Sequence, residues 1–213
     1  VPGAFLPDLG LGRRMWAGGQ LRFRRPLHVG ERLTKRSEIT GVEWKRGDSG
    51  PLALVSLEHA ISGEGGLAIE ESQQIIYLAI PDTYRPPRPR PAPEGAVFDE
   101  VVAVDSVRLF RYSAATFNGH KIHFDREFTT RVENYPGLIV HGPLQATLLI
   151  ERAVRHRGGA LPVSLSHRGV HPMFEHHPLR LIGVDEGTAM TLCTATLPEH
   201  GGHQGMQVTA EWA

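Results

Sequence analysis

The run Asn118-Gly119-His120-Lys121-Ile122-His123 collects the groups in this sequence best able to hold or move a proton. An imidazole titrates near neutral pH, so His123 can serve as a general base. Asn118 carries an amide, which orients water but exchanges no proton. Asn118, His120, His123 and Asp125 all fall within residues 118–125, and polar groups this dense are costly to bury without a use. Further on, His141-Gly142-Pro143 reads as a helix start, because Gly is tolerated at the cap and Pro at the first helical position. Free N–H groups at such a start polarise a carbonyl oxygen set against them. Each piece also has a plain structural reading, a core histidine and a well-capped core helix, and the residues alone leave both open.

The elements that must position these groups can be read outward from them. Leu144, Leu148, Leu149, Ile150, Ala153 and Val154 spread apolar side chains around much of the helix after Pro143, which predicts a buried helix rather than a half-solvated one. Its last turn is basic, with Arg152, Arg155, His156 and Arg157 before Gly158-Gly159, which suits the negative end of the dipole and a glycine stop. Asp125, before Arg126-Glu127-Phe128, reads better as a helix cap than as a catalytic acid. Asp105 caps a further helix, with Val107, Phe110 and Ala114 expected on its packed face. Strands surround this helical insertion. In the first half they are expected over 20–28, 31–44, 52–61 and 67–80, with hairpin turns at Gly47-Asp48-Ser49-Gly50 and Gly63-Glu64-Gly65-Gly66. Residues 1–19, interrupted by Pro2, Pro7 and five glycines, read as irregular. In the second half strands are expected over 96–104, 163–170, 179–184, 188–197 and 204–212. Between the halves, residues 81–95 hold six prolines and three arginines, the composition of a stiff, extended spacer.

Composition limits the partners. The 213 residues carry 23 Lys+Arg against 23 Asp+Glu, a balance with no net field to attract nucleic acid or an anionic membrane. No apolar run reaches the length of a bilayer span and nothing resembles a signal peptide, so a soluble, cytoplasmic protein is expected. The single cysteine, Cys193, sits in an alternating run and reads as a strand residue before a nucleophile. Twelve histidines invite a metal test, and His167, His171, His176 and His177 cluster, but their spacing fits no zinc signature and no metal is expected. Exposed sheet edges predict self-association into a homo-oligomer.

The polar run and the stretches YSAATFNGHKIHFD and YPGLIVHGPLQATLL together resemble the MaoC-like, hot-dog-fold enoyl-thioester hydratases and dehydratases. The resemblance is to the branch containing mesaconyl-C4-CoA hydratase, itaconyl-CoA hydratase and the type 2 hydroxyacyl-thioester dehydratases. It extends to residues 11–19, LGRRMWAGG, and so covers most of the chain. In that family an Asp and a His five positions apart flank a loop. Here Asn118 and His123 hold those positions, and His120 stands where Asn is usual.

The fold that the resemblance implies is α+β: a double hot-dog of two antiparallel sheets joined as a pseudo-dimer, with a long central helix in the second half only. Residues 1–80 would form a substrate-binding half, 81–95 the linker and 96–213 the catalytic half. The chain starts at Val1 rather than Met, and on the family plan a preceding segment would supply helical cover to the first half. The activity implied is reversible addition of water to an α,β-unsaturated acyl-CoA thioester, of the mesaconyl-C4-CoA or itaconyl-CoA type, or dehydration of a 3-hydroxyacyl thioester. His123 would move the proton, Asn118 hold the water and Gly142 donate to the thioester oxygen. His141, Tyr112 and His120 are candidate pocket linings. Arg13 and Arg14, beside Trp16, would meet coenzyme A phosphates or a free carboxylate, the alternative being ordinary solvated charges. Coenzyme A enters as part of the substrate, with no separate cofactor. Two competitors remain: a hot-dog thioesterase, and a non-catalytic acyl-CoA binding module in which loss of the Asp reflects lost catalysis.

Overall fold

A computed structural model describes residues 5–47 and 50–213 of the chain. Nine strands make one continuous antiparallel sheet: β1 (Arg13–Phe23), β2 (Thr34–Gly47), β3 (Gly50–Gly63), β4 (Gly66–Leu78), β5 (Phe98–Val102), β6 (Ser164–Gly169), β7 (Leu179–Asp185), β8 (Ala189–Ala195) and β9 (Gln204–Glu211). Their order is β2-β3-β4-β1-β6-β9-β8-β7-β5. The order is a repeat in space: β1 to β4 and β6 to β9 trace the same path, each beginning at the centre, crossing to the outside and returning. The two sheets expected from the sequence are thus fused side by side, and β5 is an extra strand on the outer edge of the second half. Asp48 and Ser49 of the first expected hairpin turn lie outside the described residues.

The join is made by β1, which corrects the irregular reading of residues 13–19. Arg13 pairs with Leu78 and the ladder runs to Phe23 opposite Ile69, with a bulge between Trp16 and Gly18. On its other side β1 pairs with β6, from Gly18 opposite Arg168 to Arg22 opposite Ser164. The glycines that suggested a broken chain are what let a strand pass through this crowded place. A Cβ on Gly19 would stand 2.2 Å from the Ser72 carbonyl, and one on Gly18 would stand 2.7 Å from that of His167.

Three helices lie over the second half: α1 (Ser106–Ala115), α2 (Arg126–Arg131) and α3 (Gly142–His156). Leu149 and Ala153 of α3 pack on Leu181, Met190, Leu192, Met206, Val208 and Ala210 of the sheet. Full burial of one such leucine contributes about 1.5–3 kcal/mol. The helix is amphipathic, not enclosed as its composition suggested. Leu144, Gln145, Leu149 and Ala153 are buried, whereas Thr147, Glu151 and Arg155 face solvent. The packed face of α1 is likewise different from expectation. Leu109 and Ser113 are buried, while Val107 and Phe110 are 60% and 61% exposed. Leu109 is claimed by a cluster of Val104, Leu138, Val140, Leu144, Met173 and Leu179, which sets the rotation of the helix. The first half has no helix among the described residues, and Leu6, Leu9 and Leu11 pack on its Ala53, Val55, Leu57, Ile75 and Tyr77.

Candidate active site

The chain between α1 and α2 is held in place by its own turns. After α1, Phe117 takes a positive φ of 52° and the Asn118 amide returns to the Ser113 carbonyl at 2.9 Å. The Asn118 side-chain oxygen accepts from the His120 amide at 3.0 Å, an Asx turn. Residues 121–123 form one 3₁₀ turn, and Asp125 caps α2 by accepting from the Phe128 amide at 2.9 Å. Locked between these two caps, His123 is turned into the protein and is 7% exposed.

Its Nδ1 donates to the Ile139 carbonyl at 2.8 Å. A carbonyl only accepts, so the ring proton belongs on Nδ1 and Nε2 is the basic nitrogen. Burial draws the imidazole down to about 4, opposed by the Ile139 bond. At neutral pH the ring is therefore uncharged and able to accept a proton.

Gly142 opens α3. The Gln145 amide closes the first helical bond onto the His141 carbonyl at 3.1 Å, and Pro143 has no N–H. The Gly142 and Leu144 amides are left without an intrahelical acceptor, and no side chain among the described residues caps this end. The glycine is required by packing: a Cβ here would stand 2.7 Å from Trp16 Cε3 and 3.1 Å from Met206 Cε. The Trp16 ring is itself stacked on His167, with centroids 4.0 Å apart.

His123, Asn118 and Gly142 line one cavity of about 470 Å³, together with Arg14, Trp16, Tyr135 and Gln145. The wall comes from both halves of the sheet and from the start of α3. Arg14 forms no ion pair among the described residues and is half-buried in this wall.

Four of the other sequence candidates are placed elsewhere. Arg13 is not a ligand cation: its side chain is buried, its Nε is 2.8 Å from Glu133 Oε2, and a second nitrogen binds the Glu133 carbonyl. Its guanidinium also covers the Tyr135 ring at 4.2 Å. Fully engaged in this way, it ties β1 to the segment after α2. His141 is 0% exposed and stands behind His123, outside the cavity wall. Tyr112 packs edge-on against His141 with centroids 4.9 Å apart. His120 meets His123 edge-on at 5.6 Å and also lies outside the wall, and burial draws its imidazole to about 3. Cys193 lies in β8, 1% exposed, and burial pushes its thiol up to about 12, which removes it as a nucleophile. Among the described residues no group of three or more His, Cys, Asp or Glu side chains is arranged to hold a metal ion.

Gln145 escaped the sequence reading. Its Nε2 donates to the Val140 carbonyl at 3.2 Å, and its Oε1 accepts from Thr194 Oγ1 at 2.6 Å. Thr194 Oγ1 in turn accepts from the Met206 amide at 2.9 Å. The signal for it was a lone amide among the leucines of an apolar helix, where an unpaired polar group would be costly.

Comparison with known proteins gives the family and the fold. The family model for hydroxyacyl-thioester dehydratase type 2 matches residues 1–175. Mesaconyl-C(4)-CoA hydratase of Chloroflexus aurantiacus is 40% identical over 197 residues, covering 89% of this chain and 68% of that protein. The mitochondrial hydroxyacyl-thioester dehydratase type 2 of Schizosaccharomyces pombe is 32% identical over 197 residues, covering 79% of this chain and 64% of its own. The chain therefore spans about two thirds of the length of these relatives. Among solved structures, a MaoC-like dehydratase from Phytophthora capsici matches 98% of this chain and 74% of its own, with a TM-score of 0.75 at 13% identity. A Mycobacterium tuberculosis protein described as a double hotdog fold matches 92% of this chain and 74% of its own, with a TM-score of 0.68 at 17% identity. At these identities the two structures speak for the fold alone, which is a double hot-dog.

Proposed function

Since the chain belongs to the hydroxyacyl-thioester dehydratase type 2 family, we propose that it is a hydro-lyase that reversibly adds water to an α,β-unsaturated acyl-CoA thioester. The observation that carries the proposal is the convergence of a neutral His123 and the uncapped start of α3 on one cavity. The thioester oxygen sits at the Gly142 amide, where the developing enolate charge is stabilised by the helix start. His123 Nε2 takes a proton from the water that attacks the β-carbon, and the imidazolium returns a proton to the α-carbon. The C–O and C–H bonds formed balance the C=C π bond and the water O–H bond broken, and the histidine ends as it began. Asn118, fixed by the His120 amide, orients the water. No separate cofactor enters the scheme.

Within this reading Arg14 favours an acyl group bearing a free carboxylate next to the reacting double bond, such as mesaconyl-C4-CoA. It is a cation of the cavity wall without an acidic partner among the described residues. Arg14→Ala is expected to raise KM for mesaconyl-C4-CoA by at least tenfold and leave that for crotonyl-CoA within about threefold. Unchanged constants for both would remove the role.

The reaction is tested on a panel of crotonyl, mesaconyl-C4 and itaconyl thioesters. Hydration removes the enoyl absorbance without releasing free thiol. Thiol release would point instead to a thioesterase, and binding without either signal to a non-catalytic module. The unpaired sheet edges at β2 and β5 favour a homo-oligomer, which light scattering on the eluting protein checks.

A further inference from the structure

We infer that His141 is a positioning residue: a neutral imidazole that serves as a stacked π platform for the imidazolium form of His123. The inference rests on the reading of His123 as the base, and it concerns what makes that base workable in a dry site. The two rings lie almost parallel, 18° apart, with centroids 3.7 Å from one another. This is face-to-face contact, and it places the π surface of His141 against one whole side of the ring that gains charge.

The ring of His141 is held for this task. Its Nε2 is 2.8 Å from Ser113 Oγ, and Tyr112 packs against it edge-on at 4.9 Å. Its Nδ1 is buried and meets no partner among the described residues. An orphan nitrogen is tolerable as a bare lone pair and far less so as an N–H. The economical tautomer therefore has Nε2–H donating to Ser113. A charged ring would need two donors satisfied, and the described residues present one acceptor. Burial and the neighbouring imidazoles agree, drawing His141 to about 3. His141 thus stays neutral while His123 cycles, and a cation over a neutral aromatic face is attracted whereas two imidazolium rings at this distance would repel.

The arrangement answers a difficulty of the site. Burial makes protonation of His123 unfavourable, yet the reaction needs its imidazolium to exist between taking the water proton and delivering it. Among the described residues, the groups against His123 supply no carboxylate for the purpose. Ile139 offers a carbonyl to Nδ1, His120 an edge 5.6 Å away, and the cavity wall brings Arg14 and the phenol of Tyr135. The one acid of the wall among the described residues, Glu71, belongs to β4 and is hydrogen-bonded by Gln73. Stacking on His141 stabilises the cation without adding a formal charge.

The test compares His141→Phe, which keeps an aromatic face, with His141→Leu, which keeps bulk and loses it. Ser113→Ala, which frees the ring without removing it, is the milder companion should either fail to fold. Two quantities are read: kcat and KM on the best thioester of the panel, and the imidazole titration of His123 by ¹⁵N NMR from pH 7 down to the onset of acid unfolding. His141→Phe is expected to stay within about threefold of the parent in kcat. His141→Leu is expected to lose about tenfold in kcat at unchanged KM, and its His123 to protonate about one pH unit lower than in the Phe variant. Ser113→Ala should fall between. Equal losses in Phe and Leu, or a His123 titration that ignores position 141, overturn the inference. The NMR arm reads the platform without any turnover, so a parent protein inactive on every thioester would count against the hydro-lyase reading while leaving the platform testable.

Discussion

At the residue scale, the catalytic proposal turns on two side chains and one backbone amide. His123→Gln removes the basic nitrogen while keeping much of the volume, and is expected to lower kcat by about 10²–10⁴ with little change in the melting temperature, which steady-state kinetics and calorimetry together check. Asn118→Asp keeps the oxygen that accepts from the His120 amide and adds a negative charge to the cavity. A nearby anion favours the imidazolium, so the folded pKa of His123 rises from about 4 and the acid limb of the rate profile moves to higher pH. A pH–rate profile with its acid limb unmoved would show that the two side chains do not interact. Gly142→Ala drives a methyl into the Trp16 ring, and overpacking of this kind costs about 1–3 kcal/mol. Activity should fall further than stability, because the ring that must give way also lines the cavity. The sequence pointed to these three positions through an imidazole, an amide and a Gly-Pro helix start, and the family resemblance gave them their roles; the Asx turn and the Asp cap that hold them are locally determined. Gln145 and His141 were harder, since what they do depends on Thr194, Val140 and Ser113, brought to them only by the tertiary fold.

Among the elements, β1 and α1 show where local patterns mislead. The apolar stripe Val107, Phe110, Ala114 is a good amphipathic signal, yet α1 is rotated so that Leu109 and Ser113 face inward. Ser113 is worth burying because it bonds His141, and a pattern reading that counts only apolar side chains does not weigh such a contact. For β1 the error was to take Gly18 and Gly19 as breaks, when close approach of two flanking strands demands them. The ion pair between Arg13 of β1 and Glu133 is almost fully enclosed, with side-chain exposures of 7% and 2%. Breaking one partner of a buried pair costs about 3–5 kcal/mol. Glu133→Gln should therefore lower the melting temperature by roughly 10 °C, since each kcal/mol is worth about 2–4 °C in a chain of this size. A loss below about 2 °C in calorimetry would show that Arg13 finds other partners. Arginine in a glycine-rich entry segment was read as a ligand cation because the sequence gives no sign of its distant acid.

For the whole molecule, buried imidazoles link stability to pH. His120 and His141 are drawn to about 3, and His123 and His167 to about 4, each chiefly by burial. In the unfolded chain each titrates near 6.5. Their folded values are depressed, so between pH 6.5 and 4 the unfolded state binds protons that the native state refuses, and stability falls as pH falls through that window. Melting temperatures at pH 7, 6 and 5 should decline progressively, before carboxylate protonation contributes, and a flat profile would show these rings to be better solvated than they are here. The strands and the proline-rich spacer were legible from alternation, turn glycines and composition, and the double hot-dog was what the family resemblance implied. Fusion of the halves through β1 was not legible, because pairing between segments about 150 residues apart leaves no local trace.

That central ladder also says something about assembly of the polypeptide. With β4 on one flank, β6 on the other and Arg13 anchored to Glu133, the peptide connection through residues 81–95 is not what keeps the two lobes together. Residues 1–85 and 86–213 produced as separate polypeptides in one cell should find each other by strand complementation and purify as a stoichiometric pair.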